Sequence, residues 1–584
     1  MISWFSIFSV KILRFIQKEP HMTTLLSPLH QLFQDQWDAW MRFDPFLATY
    51  VGDNRFNDRL PSATEDAYQT WCEQLIGFRK RLDGLSSQAL SPADQLNHNL
   101  FGHLLEDEIA ELGFKPYLLP ISRCAGFHLS FPDMFQITPF ENVQDYENYI
   151  SRMGDFKRYA LENIELMRHG LCTGYLPPHC TLIDIEKQFS AQMVTDPTSS
   201  PLYQPFRQFP AFIGETERNK LCESAEKLIL NSVVPAYQGL LGFVEQEYLP
   251  AARASIATAD LPDGEAFYAH RIHYFTSLHL SAEQVHQTGL DEVRRIRSEM
   301  DIVLQKIGWN GDMAQFLQFL RSDPRFYVTT PEALLEKTAY VLKRMDGELP
   351  RLFKTLPRLP YGIRAVPDYA AAGETAGYYS PGLGDGTRAG AYYVNTYDLA
   401  SRPLYEIEAL SLHEAVPGHH LQLALQAELS DLPMFRRYLG CQSFMEGWAL
   451  YSERLGLEAG FYTDPYSNFG RLSYEMWRAC RLVVDTGMHV LGWTRQQAID
   501  HLADNTSSTM LNIINEIDRY IAWPGQALAY KIGELKIREL RQHAETRLGA
   551  RFNLREFHDV VLLSGAVSLD VLEGMVNTWI ESCY

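Results

Sequence analysis

The sequence predicts a mainly α-helical protein, and three observations carry that expectation. Apolar residues recur at three- and four-residue spacing along most of the 584-residue chain, interrupted by Pro or Gly rather than by long polar tracts. One stretch alone, 376–399 (AGYYSPGLGDGTRAGAYYVNTYDL), sets two aromatic-rich runs around a glycine-rich turn, the pattern of a β-hairpin. Finally, 412–421 (LHEAVPGHHL) holds three histidines and a glutamate on or between helices, a density that points to metal chemistry.

Composition narrows the function classes. With 46% hydrophobic and 21% charged residues the chain is an ordinary globular one, long enough for a large core. A formal net charge of -20 disfavours nucleic acid and anionic membrane as partners, since both would repel it. The eight cysteines are scattered without a CxxC pair, so neither a disulfide framework nor a cysteine zinc site is expected, and a reducing, cytoplasmic location is the reading they favour.

The chain opens with a short apolar run, Ile2 to Val10, followed rather than preceded by Lys11, Arg14 and Lys18. That order of charge and that length suit neither a secretory signal nor a stable membrane span, and no cysteine lies near enough for a lipid anchor. Residues 1–21 are therefore expected to be an extension outside the fold, with a membrane-surface helix as the alternative and Met22 as the start of the folded protein. From Leu25 on, windows such as LHQLFQDQWDAWMRF, ATEDAYQTWCEQLIGFRKRL and AEKLILNSVVPAYQGLLGFVEQEYL read as amphipathic helices. The turn-rich loops at 53–61 and 195–206 are too short to be linkers.

The hairpin precedes the histidine cluster by some twenty residues. Zinc hydrolases often place a strand there to pair with an extended substrate, so Tyr392, Tyr393 and Asn395 are candidate substrate contacts; an ordinary surface hairpin is the alternative.

In an HExxH helix two histidines four apart share a face, and the intervening glutamate activates water. Here Pro417 occupies the fourth position after His413. His419 would lie roughly 120° off the face, and His420, back on the face, about 10 Å along the axis. Two nitrogens on one tetrahedral zinc are only about 3.3 Å apart. The helix must therefore break between Glu414 and His419, where Pro417 removes a hydrogen bond and Gly418 tolerates unusual dihedrals. Replacing both with alanine is expected to weaken zinc binding with little loss of global stability. A kinked core helix with a partly solvated histidine pair is the alternative to a metal site.

Downstream, SFMEGWALYSERLGLEAG sets Glu446 and Glu453 seven apart on one helical face, and Glu446 supplies the carboxylate that a His/His/Glu site needs. In WRACRLVVDTGMH, Arg481, Asp485 and His489 form a polar stripe at four-residue steps, either a structural ion-pair row or partners for metal ligands. Gln526 and Tyr530 follow on one face, and the Tyr530 phenol could donate to an oxyanion or simply pack its ring.

Taken in order, HEAVPGHH, MEGWALYSE, RLVVDTGMH, PGQALAYKIG and FHDVVLLSGAVSLDVLE resemble the bacterial family catalogued as domain of unknown function 885, over nearly the whole chain from about Met22. That family is in turn similar to helical gluzincin metallopeptidases, the group of thimet oligopeptidase, angiotensin-converting enzyme and the Taq-type carboxypeptidases. The resemblance implies a large helical body split by a deep cleft, with one Zn2+ ion on its floor and a small hairpin or sheet beside it. Residues 22–360 would form the mostly helical wall and 361–584 the metal-site region of the same continuous body. The family pattern falls on His413, Glu414, Pro417, Gly418 and His419, which favours His419 over His420 as second ligand, and Glu446 of the EGWA motif matches the third ligand. His420, Glu453, Arg481, Asp485 and His489 remain candidates for the metal or its supporting shell.

The expected function is zinc-dependent hydrolysis of peptide or peptide-like amide bonds in short peptides, with Glu414 as general base and Tyr530 steadying the oxyanion. Two rivals stand beside it: a peptide-binding protein with a degenerate metal site, and a metal hydrolase of a non-peptide amide or ester.

Overall fold

The computed structural model describes residues 26–87, 90–367, 371, 375–382, 386, 388–438 and 440–584. The expectation for residues 1–21 lies outside the described residues. The fold is mainly helical, with one small sheet of three strands. The chain divides into two compact units. One holds the described residues up to Ser255 with Asp260–Asp263 and Pro433–Phe435, and the other holds Ile256–Ala259, Gly264–Leu432 and Arg436–Tyr584.

The first unit is built around helix α1, Val143–Thr173, capped by the Asn142 side chain at its start and by Gly174, at φ 86°, at its end. Tyr146, Tyr149, Met153 and Phe156 line its buried face, and Phe131 stacks on Phe156 with centroids 3.8 Å apart. The buried Arg152 guanidinium is held by the carbonyls of Pro45 and Phe56 and the Thr49 hydroxyl. Among the described residues one helical stretch, Glu215–Ala251, is long and apolar enough to cross a membrane, and half of its most apolar window is buried within the protein, as in core helices.

The second unit carries every candidate site residue. Its relevant helices are α2 (Ala282–Ile307), α3 (Ile407–Glu414), α4 (His419–Ala427), α5 (Gln442–Glu458), α6 (Pro465–His489), α7 (Met510–Ala522) and α8 (Ala529–Leu548). Two of the starts are read from local chemistry: Ser281 and Gln284 form a capping box on α2, and Asp464 caps α6 ahead of Pro465. Helix α2 packs along α6, and α5 along α8. The second crossing is close because it is made by glycines. A Cβ on Gly447 would lie 2.5 Å from the Gly533 backbone, and one on Gly533 would lie 1.9 Å from the Ser443 carbonyl. That approach sets Glu446 and Tyr530, each near its helix's glycine, on facing helices.

The sheet is ordered β1-β3-β2, from β1 (Tyr361–Ala365), β2 (Gly377–Ser380) and β3 (Gly390–Val394). The expected hairpin is β2 and β3, antiparallel with Tyr379 opposite Tyr392, and β1 adds in parallel to the other side of β3. The strand expected to offer its edge to substrate is thus the central one, hydrogen-bonded on both sides.

Candidate metal centre

Helix α3 ends at Glu414 and α4 begins at His419, and the four residues between them break the helix that a straight reading would continue. Within the break the Val416–Pro417 peptide is cis, and Trp448 of α5 donates its indole N–H to the Pro417 carbonyl at 2.9 Å. Gly418 has a negative φ of −77°, so a left-handed backbone does not require glycine there. Space does: a Cβ there would lie 1.9 Å from the His413 carbonyl oxygen and 2.5 Å from that of Leu412.

The turn brings the last turn of α3 and the first residue of α4 face to face, with the His413 and His419 rings 4.8 Å apart at 89°. Glu446 enters from α5. Its Oε2 stands 3.5 Å from His413 Nε2 and 3.7 Å from His419 Nε2, and one ligand atom from each residue lies within 4.8 Å of the others. All three residues are 3% exposed. Glu446 Oε2 is buried and makes no hydrogen bond, an arrangement costly for a carboxylate unless a cation completes it. The separations are close to the ligand edges of a four-coordinate zinc, and the donor set of two imidazoles, one carboxylate and an open position is that of a catalytic zinc site. The residues fit the metal.

Behind the three, Glu453 Oε1 accepts a hydrogen bond from His413 Nδ1 at 2.8 Å, the carboxylate support typical of metal-binding histidines. His420 turns the other way, toward the sheet, with its Nδ1 2.7 Å from the Tyr379 hydroxyl and its ring 4.6 Å from that of Tyr361. The choice between the two histidines is geometric, and His419 is the one that faces His413 and Glu446.

The electrostatics follow from burial and from the carboxylates. Burial alone would depress His413, but contact with Glu446 and Glu453 lifts it to about 9. Burial depresses His419 to about 4, leaving its lone pair free of a proton at neutral pH. Burial opposes ionisation of Glu446, yet the two histidines and Arg481 hold its carboxyl below the usual range. Glu414 is only partly exposed, and burial together with the Glu446 charge raises it to about 7 against the pull of His413, Arg478 and the Tyr379 backbone N–H. A carboxyl poised there suits a general base.

Tyr530, partly exposed at the start of α8, is pushed up by burial and by the Glu446 carboxylate. Arg481 lies over its ring at 4.3 Å, donates to the Tyr520 hydroxyl at 2.7 Å and pairs with Glu516 at 3.3 Å. Asp485 and His489 stand apart from the three ligand candidates. Asp485 accepts from the Tyr268 hydroxyl at 2.5 Å and the Gly525 N–H at 3.1 Å, while His489 joins the Thr258 side chain at 2.8 Å to the Tyr520 carbonyl at 3.0 Å. These two fasten helices to loops.

Of the predicted substrate contacts, Tyr392 is 1% exposed and Asn395 is buried, its amide donating to the Ala371 and Thr375 carbonyls. Tyr393 is half-buried and stacks on Tyr378. Of the sheet's two outer strands, β1 and β2, β2 is the one that lies against α3. Asn395 N–H donates to the Ala376 carbonyl, so by antiparallel alternation Gly377 and Tyr379 point their amides away from β3. On that side the Tyr379 N–H acts on the Glu414 carboxyl, opposing its rise. Sequence reasoning passed over Tyr379 and also Arg478, whose guanidinium is 3.7 Å from Glu453 Oε1. Arg478 was recoverable in principle, because it lies one turn before Arg481 in the same polar helix.

Fold and site together define a mainly helical protein with a buried His–His–Glu group suited to a metal ion. The chain belongs to the family described as bacterial proteins of unknown function, DUF885, whose model matches residues 45–576. A crystal structure described as a putative lipoprotein from Colwellia psychrerythraea is 30% identical, with a TM-score of 0.89 over 95% of this chain and 100% of its own. A second, described as a putative lipoprotein of unknown function from Shewanella oneidensis, shares the fold at 18% identity, with a TM-score of 0.72 over 94% of this chain and 100% of its own. No curated protein matches the sequence. The expectation of a cytoplasmic location does not stand: both solved relatives are described as lipoproteins, a class held at membranes by lipid. Cysteine scatter reports only that disulfides are absent from a design, and lipid-anchored proteins outside the cytoplasm need not carry them.

Proposed function

We propose that this protein is a metal-dependent hydrolase, with zinc as its ion, acting on peptide or peptide-like amide bonds in short chains. The observation that carries the reading is the convergence of His413, His419 and Glu446, one ligand atom from each within 4.8 Å of the others in a buried site, with Glu446 Oε2 unbonded. When bound, zinc supplies Lewis-acid polarisation of the scissile carbonyl. Glu414 accepts the proton of the attacking water and returns it to the leaving amine. Tyr530 donates to the oxygen on which charge develops. An extended substrate lies along the free edge of β2, and the 3% exposure of the ligand candidates favours a slender peptide over a folded protein.

The test is metal content of protein purified without added zinc, followed by turnover of short peptides. Glu414→Gln is expected to retain a stoichiometric ion and lose roughly 10²–10⁴ in rate, whereas His413→Ala loses both ion and turnover. Unchanged hydrolysis in Glu414→Gln sinks the mechanism, absence of a bound ion favours a binding protein with a degenerate site, and a stoichiometric ion without hydrolysis of any peptide favours a non-peptide substrate.

A further inference from the structure

Helix α5 presents a second cluster on a face turned away from Glu446 and Glu453. A cavity of about 220 Å³ opens there between α5 and α8, and three arginines line it: Arg454, Arg538 and Arg541. Two of them are already neutralised. Arg541 takes both acids of the cavity wall, Glu458 at 2.7 and 3.0 Å and Glu545 at 2.9 Å, and also donates to the Tyr451 hydroxyl at 3.0 Å. Arg538 pairs with Glu534 at 3.0 Å, and Glu534 also binds Lys531.

Arg454 has no such partner. Its Nη1 is buried without a hydrogen bond, and no carboxylate of the described residues lies within ion-pair distance of it. Burial and the neighbouring Arg538 charge both work against its guanidinium, so it is held below its ordinary proton affinity. The two acids of the cavity wall, Glu458 and Glu545, are both taken by Arg541, and Glu475 and Glu534 act on Arg454 only at a distance. A half-buried guanidinium with no ion-pair partner costs stability that an anion in the cavity would recover.

We infer that the cavity between α5 and α8 is a binding site for a small tetrahedral oxyanion of the phosphate type, held by the planar fork of Arg454 with Arg538 beside it. Guanidinium forks match phosphate oxygens two at a time, and the cavity has room for the anion with little attached to it. The site is independent of the metal centre and of the hydrolase reading.

The experiment titrates the full-length protein with inorganic phosphate at constant ionic strength, by calorimetry and by thermal melting. Saturable binding is expected, with a rise in Tm that grows with phosphate concentration. Arg454→Gln is expected to weaken binding at least tenfold and to raise the Tm of the phosphate-free protein, because it removes an unpaired buried charge; Arg454→Lys keeps the charge but loses the fork and binds at an intermediate level. Absence of saturable binding, or equal binding by wild type and Arg454→Gln, overturns the site. So does a phosphate-free Tm that falls in both variants, which would mean that Arg454 is satisfied within the protein. Glycerol phosphate run in parallel separates the sources: tighter binding than inorganic phosphate assigns an organic phosphate group, and equal or weaker binding assigns the free ion.

Discussion

The imidazole of His413 gives its Nδ1 proton to Glu453 Oε1 at 2.8 Å, one helix away and fully inside the protein. This bond orients the ring so that Nε2 faces His419 and Glu446. Glu453→Ala is therefore expected to lower zinc affinity about 10- to 100-fold. Glu453→Gln, whose amide oxygen still accepts the bond, should lose less. Competition against a chelator measures both, and unchanged affinity in Glu453→Ala contradicts the orienting role.

Gly418 gives a prediction that keeps the loss of zinc binding expected from sequence but adds a cost in stability. Alanine there would put a Cβ 1.9 Å from the His413 carbonyl, so the very residue carrying a ligand candidate must move. Gly418→Ala is expected to cost stability at the upper end of the roughly 1–3 kcal/mol usual for overpacking, and to lose zinc binding with it. Pro417→Ala, whose position meets no comparable clash, should do less. Urea unfolding and metal titration of the two single variants check this, and a Gly418→Ala variant as stable as wild type removes the packing argument.

The two glycine explanations show what sequence can and cannot carry here. That the helix must break between Glu414 and His419 was legible, because helical geometry forbids the alternative at that spacing. Why Gly418 is glycine was not, since only the path of the break brings the His413 and Leu412 carbonyls over it. The hairpin was legible from its aromatic runs and glycine turn, but β1, YGIRA, has half-buried and exposed positions without clear alternation. Missing it left β3 as an edge strand, whereas the outer strands are β1 and β2. Arg478 and Tyr379 were missed for the same reason: each acts through a partner distant in sequence, Glu453 in one case and His420 and Glu414 in the other.

Tyr530 is held rather than merely nearby. The Arg481 guanidinium lies 4.3 Å over its ring and is itself anchored to the Tyr520 hydroxyl and Glu516. If its phenol donates only as charge develops, Tyr530→Phe lowers kcat, by roughly 10²-fold for the loss of one such donor, and leaves KM nearly unchanged. A rise in KM with kcat intact assigns Tyr530 to substrate binding instead.

Asp485 yields a pH dependence of stability that does not involve the metal ligands. Burial raises its carboxyl to about 7 from an ordinary 3.8, against the bonds from Tyr268 and Gly525 and the charges of Arg519 and Arg271. Between those two values the folded protein holds a proton that the unfolded chain has released. The associated stability is fully present below about pH 4, is lost progressively as pH rises toward about 7, and is constant above that, with a ceiling of about 4 kcal/mol for a shift of this size. Asp485→Asn keeps an amide oxygen for the Gly525 N–H and the Tyr268 hydroxyl but cannot titrate. The difference between wild type and variant should therefore drift in the variant's favour from pH 4 to pH 7 and then level off, whatever its absolute value. Urea midpoints measured across that range decide it, and parallel curves for the two proteins would show that Asp485 is ionised in the fold throughout.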